Sequence, residues 1–126
     1  MSRWLTLGEV LLLHDLALEL DGGDPGVLDL GKLESALAQP QAGFKETLFH
    51  PTLPDQAAAY LFHISQAHAF NDGNKRTAVL AALTFLELNG LSPTIGQDEL
   101  FELALEVAQG NLSKEQIAHR LVAGET

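Results

Sequence analysis

Apolar residues along this chain recur three and four positions apart, and strict alternation is nearly absent, so the pattern predicts helices throughout. Thr6 and Glu9 have the spacing of a capping box ahead of Val10, Leu13, Leu16, Ala17 and Leu20. The run Gly22-Gly23-Asp24-Pro25-Gly26 stops that first helix. Asp29 can cap a short second helix carrying Leu30, Leu33 and Leu37, ended by Pro40. From Gln41 to Leu53 no clean period survives, and Gly43, Pro51 and Pro54 mark a loop. Thr52 and Asp55 offer another capping box, for a third helix over about Asp55 to Ala67 with Ala57, Tyr60, Leu61 and Ile64 as its apolar set.

The fourth helix, about Lys75 to Asn89, differs in kind. Ala78, Val79, Leu80, Ala81, Ala82, Leu83, Phe85, Leu86 and Leu88 surround it on nearly every side, which predicts a buried central helix. Gly90 fits the position just past its end. A fifth helix, about Gln97 to Gln109, sets Leu100, Leu103, Ala104 and Val107 on one face and Glu99, Glu102 and Glu106 on another, with Gly110 as its stop. Ser113 and Gln116 form a last capping box for a closing helix with Ile117, Ala118 and Leu121. The expectation is an all-α bundle of about six helices around the fourth, one domain over residues 1–126.

Composition narrows the partners. Apolar residues make up 46% of the 126, which excludes intrinsic disorder. Seven Lys and Arg against seventeen Asp and Glu give a net charge of −10, which disfavours nucleic acid and anionic membranes as partners. The chain has no cysteine, so disulfides, thiolate catalysis and Cys-ligated zinc are closed off. The apolar run Val10 to Leu13, bounded by Glu9, His14 and Asp15, is too short for an anchor or an export signal, and a soluble cytoplasmic protein is expected. His14, His50, His63 and His119 show no metal-ligand spacing. His63 and His68 lie five apart, about 140° around a helix, so His63 is read as a packed or capping side chain.

Chemistry concentrates between the third and fourth helices, in His68-Ala69-Phe70-Asn71-Asp72-Gly73-Asn74-Lys75-Arg76. Asn71-Asp72-Gly73 is turn chemistry, and Gly73 allows a positive φ or a close backbone approach. A helix starts immediately afterwards, so its free N–H groups and positive dipole end face the turn and make an anion site. Lys75 and Arg76, the only adjacent cations in the chain, fall at this point. Asp72 suits Mg²⁺, a hard cation that prefers oxygen ligands. His68 precedes the turn and suits a general base at neutral pH. Taken singly, each has a blander reading. His68 could be a cap, Lys75 and Arg76 solvated or paired with an acid such as Glu87, Asp72 a turn residue, and Phe70 a core anchor. The anchor reading is kept for Phe70. For the rest, convergence within nine residues at the mouth of one helix favours the transfer of a phosphate-containing group.

This nonapeptide resembles the signature of Fic and Doc proteins, H-x-F-x-[D/E]-G-N-[G/K]-R, and the chain is similar above all to the Doc (death-on-curing) toxins. The likeness extends over about residues 5–123, through Gly22 to Gly26, Asp29, Leu33 to Ala36, and the run Thr77 to Gly90. It implies a six-helix Fic/Doc fold. It makes His68 the base that takes a proton from a target hydroxyl and Asp72 the residue that holds Mg²⁺ against nucleotide phosphates. It places Gly73 and Asn74 in the anion turn and Arg76 on phosphate oxygens. Two departures matter. Ala69 stands where AMP-transferring members often have proline, and Lys75 stands where they have a second glycine.

The Doc branch shares that lysine and is similar to a kinase, moving the terminal phosphate of ATP to a threonine of translation elongation factor Tu and halting protein synthesis. Lys75 thus points toward phosphoryl transfer, although Gly73 is the residue AMP-transferring members prefer. AMP transfer and a non-catalytic nucleotide- or partner-binding module remain the alternatives, with Mg²⁺ and Mn²⁺ undistinguished. The resemblance also implies an antitoxin of Phd type acting in trans, because the inhibitory pattern S/T-x-x-x-E-G/N does not occur in the chain. It further implies that Gln41 to Leu53 forms a flap that holds the target as an added strand, where Phe44 and Leu48 would touch it.

Overall fold

The computed structural model describes residues 2–122; residue 1 and residues 123–126, part of the expected domain range, lie outside the described residues. The chain forms α1 (Leu7–Asp21), α2 (Leu30–Ala38), α3 (Leu53–Ala67), α4 (Asn74–Leu88), α5 (Gln97–Ala108) and α6 (Lys114–Leu121). Local capping chemistry starts most of them. Thr6 with Glu9 and Ser113 with Gln116 close reciprocal boxes at α1 and α6. Asp29 accepts the Lys32 N–H at 3.0 Å to begin α2. At α3 the box closes from one side only: Thr52 accepts the Asp55 N–H at 3.2 Å. This helix begins at Leu53, two residues earlier than expected, because Pro54 is favoured in a first turn.

The segment after α2 is more structured than the loop its pattern predicts. A 3₁₀ turn over Gln39–Gln41 leads into β1 (Gly43–Phe44) and β2 (Thr47–Leu48), which pair antiparallel with Gly43 opposite Leu48 and Phe44 opposite Thr47. Two-residue strands are too short to leave a period in the sequence. Both strands are exposed, with Phe44 at 67%.

The centre of the bundle is a pair of helices, α3 and α4, rather than α4 alone. α3 packs against α2, α4, α5 and α6, and α4 against α1, α3 and α5. Buried alanines, Ala57 and Ala58 on α3 with Ala78, Ala81 and Ala82 on α4, keep the opposing side chains small. Tyr60 and Phe85 fill the core above them with ring centroids 5.0 Å apart, and the Tyr60 hydroxyl accepts the Leu5 N–H at 2.9 Å. Burial therefore raises the Tyr60 phenol above its usual range. The apolar residues around α4 do not all reach this core: Leu83 packs against its edge, Leu80 is half-buried outside it and Leu88 is exposed. Among the described residues, no helix is long and apolar enough to cross a membrane.

On the outer side of α3, Lys114 Nζ lies 3.1 Å from His63 Nε2. The ammonium donates, so the ring accepts as neutral imidazole. Burial first, then the charges of Lys114 and His50, lower the His63 pKa to about 4. Burial lowers His50 as well. An unfolded histidine takes its proton near pH 6.5, so below that pH the unfolded chain binds more protons than the folded one. Stability is expected to fall as pH drops from about 6.5 toward 4. Because His63 is only half-buried, its share should be on the order of 1 kcal/mol at pH 5. Urea unfolding at pH 7 and pH 5 checks this, and His63→Gln should flatten the difference by about that amount.

Candidate functional site

Two stretches distant in sequence meet to form the site. The loop over residues 22–29, between α1 and α2, runs antiparallel to residues 69–72, between α3 and α4. Leu28 and Asp29 N–H both donate to the Ala69 carbonyl, at 2.7 and 3.2 Å, and Asn71 N–H donates to the Gly26 carbonyl at 3.2 Å. Val27 and Phe70 form the bridge between these bonds. Asn71 Nδ2 donates to the Pro25 carbonyl at 2.9 Å, and the Asp24 N–H donates to Asp72 Oδ2 at 2.7 Å. The approach leaves no room for a side chain at Gly23, where a Cβ would lie 2.8 Å from the Asp72 Cβ and φ is +120°.

Beneath the turn, Phe70 is 1% exposed and stacks on His14, with ring centroids 3.8 Å apart and planes 11° from parallel. His14 Nε2 donates to the Asp72 carbonyl at 2.8 Å, which fixes the proton on that nitrogen. The Asn74 side chain brackets Phe70, accepting its N–H at 3.1 Å and donating to its carbonyl at 2.9 Å. That amide is spent inside the turn, so its main-chain N–H is what Asn74 offers to a ligand. Gly73 caps α4 at φ +82° without any side-chain hydrogen bond, leaving the first N–H groups of the helix uncapped.

Sequence reasoning missed His14 as part of this site. The available signal was its position: it shares the buried face of α1 with Val10 and Ala17, at helical spacing from both.

His68, Asp72, Gly73, Asn74, Lys75 and Arg76 all line one cleft of about 1070 Å³, together with Asp21, Gly22 and Ser65. Its apolar wall comes from Leu80 and Leu83 of α4 and from Leu100 and Phe101 of α5, which is why the apolar ring around α4 is not wholly core. His68 ends α3 in the left-handed region, φ +48° and ψ +43°, exposed to solvent. For a residue other than glycine this conformation costs about 1 kcal/mol or more, and it is held here because the next carbonyl, that of Ala69, is tied down twice. Arg76 pairs with Asp21 of α1, not with Glu87. Lys75 is exposed and has no carboxylate partner among the described residues. No cage of three or more metal-binding side chains occurs among the described residues. Asp72 offers a single carboxylate, a donor set that suits Mg²⁺ completed by phosphate oxygens and water, and not a wholly protein-made cation site.

A family profile described as Fic/DOC family matches residues 4–86. The chain belongs to the Fic/DOC family. That match ends within α4, so it takes in the loop 22–29, the turn and both cations of the cleft. Full-length relatives extend it. The chain is 39% identical to Toxin Doc of Mycolicibacterium smegmatis, over 96% of this chain and 92% of that protein. It is 35% identical to Protein kinase doc of Escherichia phage P1, over 94% of this chain and 93% of that protein.

Removing the ring beneath this Fic/DOC turn should unfold it first. His14→Ala loses a buried stack and a hydrogen bond, an expected cost of about 2–3 kcal/mol. Urea unfolding gives the loss, and amide exchange at Asn71 to Asn74 should rise more than in α6.

Proposed function

We propose that this protein is the toxin of a toxin–antitoxin pair and that it transfers the terminal phosphate of ATP to a Ser or Thr hydroxyl of a target protein. The observation that carries the reading is the convergence, in one cleft, of His68, Asp72, the uncapped start of α4 and the cations Lys75 and Arg76. The similarity to a protein named as a kinase supports the choice of reaction.

In this mechanism the His68 imidazole takes the proton from the target hydroxyl. The hydroxyl oxygen forms a bond to the γ-phosphorus, the bond to the β–γ bridging oxygen breaks, and ADP leaves. The α4 N–H groups, Lys75 and Arg76 hold the phosphate oxygens and counter their charge. Asp72 would hold Mg²⁺, whose contribution is to neutralise charge on those oxygens. Asp24 and His14 keep Asp72 in place through its side chain and its carbonyl respectively. Elongation factor Tu is the proposed target, arrest of translation the outcome, and the cytoplasm the place of action. An antitoxin of Phd type would restrain the enzyme, and the apolar wall of the cleft, with Phe101 66% exposed, suits an amphipathic segment of such a partner.

AMP transfer is the second reading, favoured by Gly73 in the anion turn. It uses the same base but attacks the α-phosphorus and releases pyrophosphate. ATP labelled at the γ- or the α-phosphate separates the two in a reaction with Mg²⁺ and elongation factor Tu, with His68→Ala as control. Label from γ alone, lost in the variant, is the expected result. Label from α overturns the kinase reading, and no label from either position overturns elongation factor Tu as the target.

The hairpin of β1 and β2 presents unpaired strand edges and exposed Phe44 and Leu48, which suits a target segment added as a strand. Phe44→Ala with Leu48→Ala should lower target modification at least tenfold while leaving ATP affinity, measured by calorimetry, within about twofold. Equal loss of both activities would count against docking at the hairpin.

A further inference from the structure

Asp21 ends α1 where its own helix disfavours it. The last turn of α1 carries Glu19 and Asp21 and no basic residue, at the end where free carbonyls concentrate negative charge. Its place is explained by Arg76, across 55 positions of sequence. Arg76 Nε donates to Asp21 Oδ2 at 2.8 Å and Nη2 donates to Oδ1 at 3.0 Å, a two-bond fork between side chains that are each about half exposed. Both residues line the cleft that holds the uncapped start of α4 and Lys75, which has no carboxylate partner among the described residues.

A carboxylate and a phosphate present the same pair of oxygens to a guanidinium. We propose that Asp21 is a built-in competitor for the anion that this cleft takes, occupying Arg76 while the cleft is empty and yielding it when phosphate arrives. The inference rests on reading the cleft as a nucleotide-phosphate site. Exchange is cheap, because a half-exposed ion pair contributes little. The Asp21 side chain is itself about half exposed, so water can take its place against Arg76. Among the described residues, the cleft cation without a carboxylate partner is then Lys75. A ligand gains Arg76 only by displacing a charge of its own sign, so Asp21 lowers the affinity for every ligand that uses that arginine.

Calorimetric titration of the full chain with Mg·ATP tests this. Asp21→Asn should bind about three- to fivefold more tightly than wild type. Glu19→Gln, which removes an equal charge from the same helical turn outside the cleft, should stay within about 1.5-fold. Asp21→Ser, expected to match Asp21→Asn, guards against a folding defect in one variant, and thermal melting verifies both. Unchanged or weaker binding by the Asp21 variants would overturn the proposal and make Asp21 a support for Arg76. Equal tightening by Glu19→Gln would overturn it in favour of a general charge effect. If wild type binds Mg·ATP and the Asp21 variants do not differ, only this inference falls. If neither wild type nor variants bind, the nucleotide reading falls with it.

Discussion

The pairing of residues 22–29 with residues 69–72 is the interaction on which the site depends. A turn between two helices has no ladder of its own, and its polar backbone would otherwise exchange partners with water. Here the Ala69 carbonyl accepts two hydrogen bonds, the Asn71 N–H finds the Gly26 carbonyl, and the Asp72 side chain finds the Asp24 N–H. With the turn fixed on one side by this loop and beneath by the His14–Phe70 stack, the end of α3 and the start of α4 have little freedom. The left-handed conformation of His68 and the uncapped start of α4 both follow from that constraint.

Packing and chemistry divide α4 between them. Its alanines, with Phe85 and Leu86, bury against the neighbouring helices, while Leu80 and Leu83 turn to the cleft and Lys75 and Arg76 stand at its mouth. One rigid element therefore supplies the core, an apolar wall and the cations. A shift of α4 would disturb all three together.

Electrostatics work locally against the global trend. The chain carries −10 overall, yet the cleft gathers two cations and a helix N-terminus within one turn. In a protein this acidic, nearby carboxylates are abundant, and one of them, Asp21, has settled on Arg76. On the proposed reading of the cleft, its affinity for an anion is a difference between phosphate and an internal carboxylate, not the bare attraction of the two cations.

Sequence alone determined what is encoded within three or four residues. The caps at Thr6, Asp29, Thr52 and Ser113, the six helices, and the nine-residue run from His68 to Arg76 were legible because capping and helical periodicity act at that range. All the expected site residues fell in one cleft for the same reason: their neighbours in sequence are their neighbours in space. Tertiary structure decided the rest. His14 reaches Asp72 across 58 positions, Asp24 reaches it across 48, and Asp21 reaches Arg76 across 55. The hairpin is too short to show a period, and the pairing of α3 with α4 depends on which apolar faces find each other. No local pattern carries such contacts, because they exist only once separate helices have packed and brought distant side chains within hydrogen-bonding distance.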